Sequence, residues 1–164
     1  VIALAEATER YLQGLTEYRK RRLEKARDLF ALALERDARF ANARYQLGLV
    51  EYYRDRVSEA LSAFCRVLED APDFERLPHL LSYMGWCHFK LGEHEDAERD
   101  FRRSLEFKDI PGSRVGLGLA LEKRGLAEEA RGVLLQYLEA SPDDAQVGLA
   151  QDALDRIMAG IPRA

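Results

Sequence analysis

Residues 47–72 read LGLVEYYRDRVSEALSAFCRVLEDAP. Gly48 opens an apolar run at helical spacing, the polar segment Arg54-Asp55-Arg56 interrupts it, and a second run follows through Ala60, Phe64 and Leu68. Residues three and four apart share one helix face. The second run stops at Asp70-Ala71-Pro72, and a proline just past a periodic stretch is a stop signal. The stretch therefore predicts two helices joined by a tight turn. Its spacing recurs along the chain. Glycines stand at 14, 48, 85 and 118, alanines twelve places later at 26, 60, 97 and 130. Four places on come Phe30, Phe64, Phe101 and Leu134, and four further on Leu34, Leu68, Leu105 and Leu138. The internal spacing is constant while the step between copies varies, at 34, 37 and 33. That is the mark of a structural repeat.

A period near 34 with Leu-Gly, then Ala-x3-Phe, then Pro resembles the tetratricopeptide repeat family. Leu47-Gly48, Ala60, Phe64 and Pro72 meet the whole pattern; Met84-Gly85, Ala97 and Phe101 meet most of it, as do Leu117-Gly118, Ala130 and Pro142. The first copy departs from it, with Gln13 before the glycine and Ala38 at the proline position. Three places after the glycine the family carries an aromatic, and here stand Glu17, Glu51, His88 and Leu121, with Tyr18, Tyr52 and Phe89 next in line. The resemblance implies an all-α fold, a right-handed α-α superhelix of the solenoid type. Its expected division is four repeats (7–40, 41–74, 78–110 and 111–144) and a C-terminal capping helix over 145–160. Residues 1–6 would be the remnant of a preceding segment or a helix start.

Helices are expected over 3–19, 23–36, 41–54, 57–70, 78–91, 94–107, 112–124, 127–140 and 145–159. Breakers fall at Gly92-Glu93 and Gly125 within repeats, and at Ser141-Pro142-Asp143-Asp144 between them. The longer step between copies two and three places a longer loop or an extra helical turn around Phe74-Glu75-Arg76-Leu77-Pro78. Small residues suit positions where two helices approach closely, and large ones fill the space between them. In the ninth helix Val147, Ala150, Leu154 and Ile157 form one apolar stripe, as a terminal cap requires.

The composition excludes several function classes. With 47% hydrophobic and 33% charged residues, the 164-residue chain can bury a core and does not read as disordered. A net charge of -4 argues against nucleic acid as a partner. No apolar run approaches the roughly 20 residues that span a bilayer. Cys65 and Cys87 form no Cys-x-x-Cys pair and read as reduced thiols in a cytoplasmic protein. No methionine opens the chain, which reads as a piece of something longer. Lysine occurs only at 20, 25, 90, 108 and 123, an arginine bias that fits a GC-rich, bacterial source.

No constellation for catalysis emerges, and no enzyme, cofactor or metal is expected. Gly92-Glu93-His94-Glu95-Asp96 is acidic and carries a histidine, yet it matches no zinc motif, and His79, His88 and His94 lack a second histidine at ligand spacing. Gly116-Leu117-Gly118 follows no strand and lacks the third glycine of a dinucleotide fingerprint. Cys87 shares a small-residue slot with Thr16, Val50 and Ala120 and reads as packing. Carboxylates alternate with arginines along helix faces, as in Glu98 and Arg102, while Glu128 meets only Gly132 at the same spacing.

The resemblance implies that the first helix of each pair lines a ligand groove. Counted from 7, 41, 78 and 111, offsets 5, 9 and 12 share one face. They read Tyr11, Tyr45, Ser82 and Val115; then Leu15, Leu49, Trp86 and Leu119; then Tyr18, Tyr52, Phe89 and Glu122, with Tyr83 alongside. Offset 13 adds a basic edge of Arg19, Lys90 and Lys123, broken by Tyr53. Chaperone-docking members of the family hold a carboxylate with Lys and Asn at offsets 5 and 9; Tyr and Leu stand there instead. The expected function is a protein interaction scaffold, its ligand an amphipathic helix with an acidic edge, or else an extended peptide. Aromatic packing between neighbouring helices is the competing explanation for the tyrosines. Two further readings stay open: a groove filled by self-association as a homo-oligomer or by another part of the parent protein, and an arm accessory to an enzyme domain elsewhere.

Overall fold

A computed structural model describes residues 1–140 and 145–160. The expected turn Ser141-Pro142-Asp143-Asp144 lies outside the described residues. Among them are nine helices: α1 Ile2–Arg19, α2 Leu23–Arg36, α3 Ala41–Tyr53, α4 Val57–Asp70, α5 Leu77–Lys90, α6 His94–Phe107, α7 Pro111–Lys123, α8 Ala127–Ala140 and α9 Val147–Gly160. Four match the sequence expectation to the residue, and the others differ by one or two residues at one end or both. The extra residues between copies two and three form a longer loop with turns ahead of α5.

The chain forms two compact units, Val1–Leu77 and Pro78–Ala164. In the first, α1 packs on α2, α2 on α3 and α3 on α4. In the second, α6 and α8 both pack on α7, and α9 closes on α7 and α8. The first unit holds a core of Ala26, Phe30 and Val50, with Tyr11, Leu15, Tyr18, Leu23 and Leu47 packed against it. The second has a larger core that includes Phe101, Val115, Leu121, Leu134, Tyr137 and Leu154. Burying one such large side chain contributes about 1.5–3 kcal/mol.

The repeat glycines owe their identity to one contact. A Cβ built on Gly14 would lie 2.6 Å from Cε1 of Phe30, on Gly48 2.5 Å from Cε1 of Phe64, on Gly85 2.7 Å from Cδ1 of Phe101, and on Gly118 2.5 Å from Cδ2 of Leu134. These four partners are fully buried. The large residue of each second helix thus lies flat against the backbone of the first, which only glycine permits. Gly116 receives the same Phe101 ring from the α7 side.

Each hairpin turn repeats one backbone design. The amide of Arg22 donates to the carbonyl of Glu17 (3.0 Å) and that of Arg21 to Tyr18 (2.9 Å). The same pairs recur as Arg56–Glu51 and Asp55–Tyr52, Glu93–His88 and Gly92–Phe89, Leu126–Leu121 and Gly125–Glu122. This six-to-one and five-to-two pairing is the Schellman motif, which needs a left-handed residue just past the helix. Gly92 and Gly125 take that conformation freely, at φ 80 and 77; Arg21 (61) and Asp55 (60) hold it despite their side chains.

Small-slot residues Val50, Cys87 and Ala120 are fully buried, whereas Thr16 is exposed and bonds the carbonyl of Leu12. Arg102 pairs with Glu98 as expected, at 2.9 Å. Glu128 does find a partner: Arg131, one residue short of the expected spacing, lies 3.0 Å away.

Candidate functional site

In the first unit, α1 presents Tyr11, Leu15 and Tyr18 half-buried, and α3 presents Tyr52 likewise. Tyr45 and Leu49 sit deeper, at 3% and 7% exposure. The reason for Tyr45 is a repeated aromatic triad. Its ring lies 5.9 Å from Phe64 and 5.3 Å from Phe74, as Tyr11 lies 6.0 Å from Phe30 and 4.9 Å from Phe40. Tilted rings at such distances are favourable beyond their buried area. The guanidinium of Arg76, from the longer loop, stands 5.7 Å over the Tyr45 ring. Burial pushes the Tyr45 phenol up to about 12, with Arg76 pulling the other way. Burial raises Tyr11 and Tyr18 too. The offset-5 tyrosines are therefore packing residues first.

The surface of this unit's stripe is Leu15, Tyr18 and Tyr52, joined by Tyr53. Tyr53 is 47% exposed, edge-on to Tyr52 at 5.5 Å and 6.5 Å from Tyr18. The sequence reading had Tyr53 only as a gap in the basic row. Arg19, next to Tyr18 in sequence, is exposed. A wide depression of about 860 Å³ elsewhere on this unit is lined by Arg44, Leu47, Ser62, Cys65 and Arg66 among others, and includes none of the stripe.

At the turn of the first hairpin, Glu17 gathers Lys20 and Arg22, each at 3.2 Å, and Lys25 at 3.8 Å. Burial alone would raise its carboxyl, but the hydrogen bonds from Lys20 and Arg22 outweigh that and hold it low. Glu51 repeats the device with Arg54 at 2.8 Å.

In the second unit, α5 places Tyr83, Trp86 and Phe89 half-buried on successive turns. Trp86 is edge-on to Phe101 (5.3 Å) and to Phe89 (5.8 Å), so one side of the indole is anchored in the core. Leu119 of α7 belongs to that core, at 7% exposure. Lys90 and Lys123 are exposed. Glu122, at offset 12 of the fourth copy, is held by Nε and Nη2 of Arg156 from α9, at 2.7 and 2.8 Å. No sequence pattern pointed to Arg156.

The third hairpin carries an imidazole at its turn in place of a carboxylate. His88 occupies the position of Glu17 and Glu51, and its Nδ1 lies 2.6 Å from Oε2 of Glu93. Ligand atoms of His88, Glu93 and Asp96 all fall within 4.8 Å of one another. Behind the imidazole, Asp100 is 2% exposed with Oδ2 3.5 Å from Nε2. Burial raises the Asp100 carboxyl, against the pull of His88, Arg99 and Arg103. Counting from the repeat alanines, Asp100 stands where the other copies carry Leu29, Ala63 and Val133. That register was the available signal, and a search for paired histidines overlooks it.

No helix among the described residues is long and apolar enough to cross a membrane. No curated protein sequence matches the chain. Among solved structures, YrrB, described as a TPR protein with an unusual peptide-binding site, is similar at TM-score 0.78 and 22% identity, over 92% of this chain and 75% of that one. The first TPR of Spaghetti (RPAP3), bound to the HSP90 peptide SRMEEVD, is similar at 0.65 and 19%, over 75% and 94%. A tetratricopeptide repeat protein from Parabacteroides merdae gives 0.79 and 19%, over 93% of this chain and 59% of that one. At these identities the likeness is one of fold. The Tetratricopeptide repeat family profile matches residues 11–75 and 84–145. With that match over most of its length, the chain belongs to the tetratricopeptide repeat family.

Proposed function

We propose that the chain is a protein interaction scaffold that docks an apolar segment of another protein on its first-helix faces. The observation that carries this reading is the set of large side chains left half-buried there: Leu15, Tyr18 and Tyr52 in one unit, Tyr83, Trp86 and Phe89 in the other. Aromatic side chains with one edge anchored and the other open are the favoured anchors of interfaces. Tyr11, Tyr45, Leu49 and Leu119 support them from beneath. The peptide-bound relative supports the general mode. The Tyr and Leu residues at offsets 5 and 9 favour an apolar ligand over a terminal carboxylate. Exposed Arg19, Lys90 and Lys123 suit an acidic edge on that ligand, and an amphipathic helix combines both features.

Trp86 is the sole tryptophan, so its emission reports directly on the site. Partners captured from a source-cell lysate by the wild-type chain, and lost by the Tyr52→Ala/Trp86→Ala variant at unchanged helicity, should shift Trp86 emission when titrated back as purified protein. Capture that survives both substitutions places the contact on another face and refutes the groove.

A second reading, self-association, is favoured by Ile2, Leu4 and Leu12 on α1, which are 77%, 58% and 55% exposed. Light-scattering mass that rises with concentration would support it, and a constant monomer mass would end it.

A further inference from the structure

We infer that the turn of the third hairpin is a binding site for a divalent transition metal ion of the zinc class, with His88, Glu93 and Asp96 as ligands and Asp100 as the group that orients the imidazole. The argument begins with Asp100. It is 2% exposed in a slot that is apolar in the other three copies, and its Oδ2 accepts no hydrogen bond. Arg99 and Arg103 stand 4.0 and 3.9 Å from Oδ1, so Oδ2 is left facing Nε2 of His88 at 3.5 Å. A carboxylate there favours the tautomer with its proton on Nε2. The other ring nitrogen, Nδ1, then faces Oε2 of Glu93, 2.6 Å away.

At that distance a proton joins Nδ1 and the carboxylate in a hydrogen bond, and a metal ion that replaces the proton takes both atoms as ligands. Asp96 brings a third donor atom into the same space, all three within 4.8 Å. Arg99 Nη2 occupies Oδ1 of Asp96 at 2.6 Å and leaves the second oxygen for a ligand role. One imidazole and two carboxylates, with a fourth position open to water, suit a tetrahedral zinc-class ion, which would draw Asp96 inward and part Nδ1 from Oε2 to reach bonds of about 2.0–2.2 Å. A buried carboxylate behind a ligating histidine is the usual outer partner of such sites. The ligand set is drawn from both sides of one hairpin turn, His88 at the end of α5 and Asp96 in the first turn of α6, so a bound ion clips the two helices together. Calcium and magnesium, which select oxygen donors, are poorly served by an imidazole.

The test is zinc titration of the chelator-stripped chain, read by competition with a chromophoric chelator, with magnesium as control. One zinc per chain is expected, with no response to magnesium. His88→Gln and Glu93→Gln should each weaken binding by at least about tenfold, and Asp100→Asn by roughly 10–100-fold, as loss of an orienting partner does. His94→Gln and His79→Gln should leave it unchanged. Glu93 is an exposed turn residue, so its variant keeps the fold even if Asp100→Asn does not. Absence of zinc binding, or equal binding by the His88 and Glu93 variants, overturns the assignment and leaves a proton as the centre between Nδ1 and Glu93.

Discussion

Replacing Gly48 with alanine and replacing Gly132 with alanine are the same chemical change in two helix interiors, and the structure gives them opposite signs. Alanine in place of helical glycine gains about 0.5–1 kcal/mol by itself. At Gly132 nothing lies within 4 Å of the new methyl, so the whole gain should appear. At Gly48 the methyl would meet three atoms of the Phe64 ring at 2.5, 2.7 and 3.0 Å. Ordinary contact needs roughly 1 Å more, and the ring is fully buried against Tyr45, 5.9 Å away, with no exposed side toward which to retreat. Overpacking of this kind costs about 1–3 kcal/mol. The net expectation is destabilisation by about 1–2 kcal/mol at Gly48 and stabilisation by about 0.5–1 kcal/mol at Gly132. Urea unfolding followed by circular dichroism at 222 nm measures both. A Gly48→Ala variant as stable as wild type would refute the claim that the ring contact dictates glycine there.

Four further expectations follow from the geometry. Asp55→Gly and Arg21→Gly relieve left-handed backbone, at a cost otherwise of about 1–2 kcal/mol, and should raise the melting temperature, whereas Gly92→Ala should lower it. Tyr45 titrates near 10 when unfolded and at about 12 when folded. Its stabilisation is therefore complete below pH 10 and lost as pH rises toward 12, so Tyr45→Phe should flatten the stability profile in that window. Ser104 donates to the carbonyl of Pro78 and shares a buried bond with Ser113, each at 2.7 Å. Ser104→Ala strands both partners and should cost about 1–3 kcal/mol in the same unfolding assay. Arg156→Ala removes the half-exposed partner of Glu122 and should change stability by at most about 1 kcal/mol, by the same measure.

The repeat was legible because its defining contact has a fixed sequence interval: Gly48 and Phe64 touch, and so do their counterparts. Helix ends were legible for the same reason. The turns were only half legible, since Arg21 and Asp55 adopt the conformation of Gly92 and Gly125 without being glycine. The stripe could be placed by counting, yet its burial could not. Counting locates Leu15 and Leu49 at one offset, while depth depends on what each helix meets, so Leu15 is half-buried and Leu49 nearly covered. Tyr45 shows the same limit, because its cover includes Phe74 and Arg76 from the longer loop ahead of α5. The His88 cluster escaped a motif search because its members lie on both sides of a turn. The conflict of Asp100, behind the cluster, with the apolar register of the other copies was visible in the alignment of the repeats.

The glycine–ring contact also bears on how fast the chain folds. Gly14 to Phe30, Gly48 to Phe64, Gly85 to Phe101 and Gly118 to Leu134 each close a short loop of equal length, within a single hairpin. Such local closures carry little loop entropy, and proteins dominated by them fold in microseconds to milliseconds. Any one hairpin can serve as the nucleus, and its neighbours add to it as to a growing stack. A substitution at one of these glycines should therefore slow folding when it falls in the hairpin that nucleates first, and chiefly hasten unfolding in the others.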